Sequence, residues 1–181
     1  MNREIIEDGV RKILEGIGEN VTRPGLVDTP KRVAKLYEEA LANTGMTNAE
    51  IAKKYGKCFS DAGDGCSIVT VRDIPAFSYC EHHIALMYDM RVSVSYIPCG
   101  KVIGLSKIPR IVDAVCKRLQ LQERIGNDIC EIIQLATGSK DVRVEIDAKH
   151  SCVTARGIKK DSTTHTVSAC GKLKDMYDLR R

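Results

Sequence analysis

Two runs of strict alternation constrain what this chain can fold into more than any other feature. In "MRVSVSYIP", Val92, Val94 and Tyr96 alternate with Arg91, Ser93 and Ser95. In "DVRVEIDAKH", Val142, Val144, Ile146 and Ala148 alternate with Arg143, Glu145 and Asp147. A period of two puts the apolar members on one side of a strand and the polar members on the other. Each run therefore predicts a half-buried strand whose apolar side needs a second layer against it.

That layer is legible between the two runs. From Ser106 the period changes to that of a helix, with Ile108, Ile111, Val112, Val115 and Leu119 on one face and Ser106 as N-cap. A second helix carries Ile125, Ile129, Ile132 and Ile133 and ends near Thr137-Gly138. A further strand is expected in "SIVTVRDIPAFSYCEHH", residues 67–83, and a last one around Thr164 to Ser168. Upstream, Ile6, Val10, Ile13, Leu14 and Ile17 predict a first helix. Thr29-Pro30 starts a second, with Val33, Leu36, Tyr37 and Ala40 on its apolar face. Thr47 and Glu50 form the pattern of a capping box for a short third helix, and residues 56–66 read as a loop. The order is helices, hairpin, two helices, hairpin. It predicts an α+β fold: an antiparallel sheet with helices packed on one face, preceded by N-terminal helices. The expected organisation is an N-terminal helical region over 1–55 and a catalytic α+β domain over 56–181, forming one structural unit.

Composition narrows the function. Of 181 residues, 43% are hydrophobic and 29% charged, as in a globular protein. A net charge of +4, no Trp and only two Phe argue against a nucleic-acid surface, which needs a basic stripe and stacking rings. No apolar run reaches the length of a membrane span, and the N-terminus has no secretory h-region. A cytoplasmic setting is therefore expected, with the eight cysteines as thiols or ligands rather than disulfides.

The chemistry-bearing residues fall in two clusters. "CEHH" supplies Cys80, Glu81, His82 and His83; "HSC" supplies His150 and Cys152. Three of the four histidines therefore lie beside a cysteine. Cysteine with imidazole favours zinc. Read as strands, neighbouring residues point to opposite faces, so His82 and His83 are not expected to share one ion. The economical ligand set is Cys80, His83 and Cys152, with the fourth position left to water, as catalytic zinc requires. His82 and His150 then remain for proton transfer. A chance Cys-x-x-His, or a Cys80–Cys152 disulfide, are the competing readings of the same residues.

Four motifs in order, "CEHH", "GKVIGLSKIPRIV", "RLQLQER" and "HSCVTARG", resemble type I GTP cyclohydrolase, from about Arg32 to about Gly171. The resemblance implies a tunnelling fold and zinc-dependent hydrolysis of the guanine imidazole ring of GTP. It implies release of formate and formation of 7,8-dihydroneopterin triphosphate, the first step of tetrahydrofolate or pterin synthesis. It implies one zinc ion per subunit on Cys80, His83 and Cys152, activating a water towards C8. By the same resemblance His150 protonates N7 and His82 assists ring opening or the later sugar rearrangement. Glu123 accepts from the guanine N–H groups and Gln122 lines the same pocket. Ser106, Lys107, Arg110 and Arg156 meet ribose or triphosphate, as do Arg32 and Lys35 from a neighbouring subunit. The implied assembly is a toroidal homo-oligomer, typically a decamer, with sites between subunits. Two features depart from the family pattern. "IALMYDMRV" lacks the Pro and Gly usual after "CEHH", and His165 has no assigned role beyond a surface histidine.

Overall fold

The computed structural model describes residues 1–60 and 67–176. It forms two compact units, Met1–Ala42 and Asn43–Arg181.

The first unit pairs α1 (Arg3–Gly16) with α2 (Thr29–Ala40). Asn2 caps α1 by accepting from the Ile5 N–H at 3.2 Å. Helix α2 begins one residue earlier than Pro30 suggests: Asp28 holds the N-cap position and Thr29 is already helical. No residue of α1 is buried, and Ile5, Ile13 and Ile17 are each more than 60% exposed.

The second unit begins with α3 (Asn48–Tyr55), whose capping box forms as expected, Thr47 and Glu50 each bonding the other's backbone N–H. A two-residue strand, β1 (Cys58–Phe59), follows. The loop expected over 56–66 lies partly in residues 61–66, outside the described residues. Long strands β2 (Val69–Cys80) and β3 (Ala85–Tyr96) make the first hairpin. Strand β4 (Val102–Ile103) pairs with β1, and α4 (Lys107–Cys116) follows. Leu119 is not on α4. The helix ends at Cys116, and Leu119-Gln120 form β5, a short strand parallel to the end of β2. Helix α5 (Gln122–Thr137) stops at Gly138, which takes the left-handed φ of +76° that a glycine C-cap supplies cheaply. Strand β6 (Val142–His150), a helical turn α6 (Ser151–Thr154) and β7 (Thr164–Cys170) complete the set.

The main sheet has the order β5-β2-β3-β6-β7 and is antiparallel throughout except for the β2–β5 pair. Its apolar side carries Val92, Val94, Tyr96, Val142, Val144, Ile146 and Ala148, all fully buried. Against it lie the isoleucines of α4 and α5, Ile108, Ile111, Ile125, Ile129, Ile132 and Ile133, also fully buried. Gly126 of α5 faces Ser168 of β7, where a Cβ would stand 2.5 Å from the serine Oγ. The fold is the expected α+β arrangement, with helices on one face. The other face is polar. There Arg143 and Glu145 pair at 2.6 Å, and a cavity of about 250 Å³ is lined by Thr70, Arg72, Arg91, Glu145 and neighbouring side chains.

Both long strands are bent by irregular pairing. The register shifts between Val71 and Ile74, and between Tyr88 and Arg91. Asp73 and Asp89 sit at these shifts with φ of +55° and +51°. Aspartate tolerates the left-handed region better than most residues, so "YDM" bulges without a glycine. No helix among the described residues is long and apolar enough to cross a membrane.

Candidate active site

The site forms where three chain segments reach the same end of the sheet. Cys80 closes β2 and Ala85 opens β3, paired across the ladder, so residues 81–84 are a tight turn. The strand alternation expected through "CEHH" therefore ends at Cys80. His82 and His83 are separated by the turn instead, their rings edge to face at 6.3 Å between centroids. Ile84 closes the turn at φ +49°, a conformation that costs a β-branched residue about 1–3 kcal/mol and persists because both flanks are locked in the hairpin.

The second segment is the end of β6. His150 stands opposite Met87 of β3 as the last residue of the strand. Cys152 is not on a strand: the chain turns helical at Ser151. The helical turn is fixed by Ser151 Oγ donating to Leu86 O at 2.8 Å and by Tyr88 Oη donating to Thr154 Oγ1 at 3.3 Å. This carries Cys152 over the hairpin end. Its ligand atom and those of Cys80 and His83 lie within 4.8 Å of one another.

The donor set suits zinc. Tetrahedral coordination at ordinary bond lengths needs S···N near ~3.6 Å and S···S near ~3.8 Å. Cys80 Sγ and His83 Nδ1 are 3.9 Å apart, within a small side-chain rotation of that spacing. Burial, and then the neighbouring Cys80 sulfur, push the Cys152 thiol up from its ordinary range. A cation between the two sulfurs reverses that effect, since thiolates are the ligand form.

Arg156 Nη1 lies 2.7 Å from His83 Nε2. A guanidinium only donates, so that nitrogen accepts. Metal coordination through Nδ1 would put the hydrogen on Nε2, and Arg156 would then have to turn away. Arg156 reaches the cluster from the bend after α6, not along a strand.

The third segment is the start of α5. Strand β5 pairs Gln120 with Cys80, and the Glu81 N–H donates to Gln120 O at 3.0 Å. This places Gln122, Glu123 and Arg124 beside the "CEHH" turn. Arg124 grips Glu81 with two bonds, 2.6 and 3.0 Å, and holds its carboxyl below the usual range. Glu81 thus ties the turn to α5, a role the sequence did not indicate. Gln122 is buried, with its Oε1 2.7 Å from His150 Nε2. Burial lowers the His150 pKa, and the negative charge of exposed Glu123 partly opposes that shift.

Of the expected cations in the second unit, Arg156 reaches this cluster, while Lys107 and Arg110 do not within one chain. Ser106 is exposed and makes no capping bond, while Lys107 and Arg110 occupy the first turn of α4. The other end of α4 is the one beside the cluster, where Ser78 Oγ donates to Cys116 O at 2.7 Å. Lys107 is therefore roughly 14 Å further along the helix axis. Arg32 and Lys35 lie on α2 of the first unit, where Arg32 pairs with Asp28 at 3.6 Å. His165 is less isolated than expected: its Nδ1 is 2.8 Å from Asp147 Oδ1 across β6–β7. Among the described residues every cysteine is a free thiol.

A sheet backed by two helices carries at one end a Cys-His-Cys group that could hold a metal ion, with two further histidines beside it, the makings of an α+β enzyme site. Comparison with known proteins then fixes the family. The family model of GTP cyclohydrolase I matches residues 6–181. GTP cyclohydrolase 1 of Clostridium beijerinckii is 51% identical over 97% of this chain and 92% of that one. The Ruminiclostridium cellulolyticum protein of the same name is 50% identical over 99% and 94%. The chain belongs to the GTP cyclohydrolase I family.

Proposed function

We propose that the protein opens the guanine imidazole ring of GTP, releases C8 as formate and forms 7,8-dihydroneopterin triphosphate, with one zinc ion per subunit. In this reading the product is the first intermediate of tetrahydrofolate or pterin synthesis. The convergence of Cys80, His83 and Cys152 carries the reading, because it supplies an open three-ligand site in a chain of this family. Zinc held there supplies Lewis acidity, which makes a water nucleophilic near neutral pH. Cleavage at C8–N9 and then loss of the formyl group from N7 consume two waters. Closure of the rearranged sugar carbonyl onto the freed amine returns one.

The protein's own groups direct these steps. His150 delivers a proton to N7, which makes C8 electrophilic, and His82 serves ring opening or the sugar rearrangement. Glu123 accepts from the guanine N–H groups, a donor pattern adenine lacks. Ser106, Lys107, Arg110 and Arg156, with Arg32 and Lys35, meet the ribose and triphosphate. The distance along α4 between Lys107 and the metal cluster supports sites shared between subunits of a homo-oligomer, with the decamer as the family's form. The exposed row of Ile5, Ile13 and Ile17 supports a chain that buries more surface on assembly.

The test is Cys152→Ala. The variant is expected to lose bound zinc and pterin formation together, measured by metal analysis and fluorescence. Full zinc content in that variant would remove Cys152 from the ligand set.

A further inference from the structure

Gln122 is the first residue of α5 and is 2% exposed. A buried amide has to place two hydrogens and a carbonyl oxygen. Its Nε2 lies 3.0 Å from Ile146 O on β6, 2.9 Å from Thr164 O on β7 and 3.2 Å from Thr166 Oγ1. Backbone carbonyls only accept, so the group facing them must be the NH2, and the amide cannot be flipped. Its oxygen is thereby turned to His150, 2.7 Å from Nε2. An amide oxygen only accepts. The hydrogen in that bond therefore belongs to His150, on Nε2.

We propose that Gln122 is a positioning residue: it fixes the ring of His150 and keeps its hydrogen on Nε2, which assigns the proton handling to Nδ1. The assignment rests on the reading of His150 as the group that delivers a proton to guanine N7. Both polar ends of the Gln122 amide are engaged with the protein, so its influence on the substrate runs through His150. The three acceptors come from β6 and β7, so the ring orientation is set by the sheet itself. A neutral histidine has its hydrogen on one nitrogen only, and choosing the wrong one removes the lone pair from where the reaction needs it.

The experiment uses zinc-loaded, full-length protein labelled with 15N-histidine, the His150 signals being those absent from His150→Ala. The expected spectrum of the unsubstituted protein has His150 Nε2 bonded to hydrogen and Nδ1 unprotonated. The opposite pattern overturns the proposal, whether or not any variant folds. In Gln122→Met the expected result is a kcat about 10- to 100-fold lower with KM for GTP little changed, zinc retained, and both His150 tautomers present. A raised KM with unchanged kcat would make Gln122 a direct substrate contact instead and overturn the proposal. If the unsubstituted protein forms no pterin, it is the reading of the reaction that fails, which the tautomer spectrum distinguishes.

Discussion

Glu123 carries much of the proposed discrimination between guanine and adenine, yet nothing in its own sequence environment marks it out. It is an exposed carboxylate in the first turn of a helix, where the macrodipole alone would favour it. Its place in the site comes from its neighbours: Gln122 bonds to His150 and Arg124 to Glu81. Loss of hydrogen bonds to a charged group costs about 1.5–3 kcal/mol, or roughly 10- to 150-fold in affinity. Glu123→Ala is therefore expected to raise KM for GTP by that order with zinc content unchanged, measured by steady-state kinetics. An unchanged KM would return Glu123 to the role of a surface helix-start charge. The residues with unusual chemistry were legible before the fold was known, because cysteine beside histidine is a restrictive pattern. Their geometry was legible only in part. Reading "CEHH" and "HSC" as strands throughout points to Cys80, His83 and Cys152, whereas the strands end at Cys80 and His150 and a turn and a helical turn follow them. Gln122 and Glu81 act through side-chain bonds between distant segments, which no local spacing encodes.

At the scale of elements, the long alternating strands and the isoleucine-faced helices follow directly from periodicity. Burial on one side only leaves little freedom in register. The irregular parts follow less directly. The bulge at Asp89 is made by an aspartate at positive φ, and β5 is a two-residue strand formed where the helical periodicity continues in sequence. Tertiary pairing with β2 decides that segment, not its propensity. Helix α5 is the element on which the site depends most, since its first turn bears Gln122, Glu123 and Arg124. It is seated by Gly126 against Ser168. In Gly126→Ala, better helix propensity would add up to about 1 kcal/mol, but displacing a packed helix costs about 1–3 kcal/mol. The expected net effect is a lower melting temperature and a reduced kcat. A variant as stable as the parent would mean that α5 has room to move.

At the scale of the molecule, the metal cluster and the α4 cations lie at opposite ends of the same helix layer. In the proposed reading, a complete site draws these cations from a second chain. Lys107→Ala and Cys152→Ala should each be inactive alone, one lacking phosphate contacts and the other the metal. Co-expressed, they should regain up to about a quarter of parental activity, because random mixing pairs an intact metal half with an intact cation half at that frequency. No recovery above the separate variants would confine each site to a single chain. The reaction itself is tested most directly by incubating zinc-loaded protein with GTP and measuring formate together with the fluorescent pterin obtained on oxidation. Equal amounts of formate and pterin, both abolished when the zinc is removed and restored when it is returned, are the expected result. Zinc-replete protein that yields neither product would contradict the proposed reaction outright.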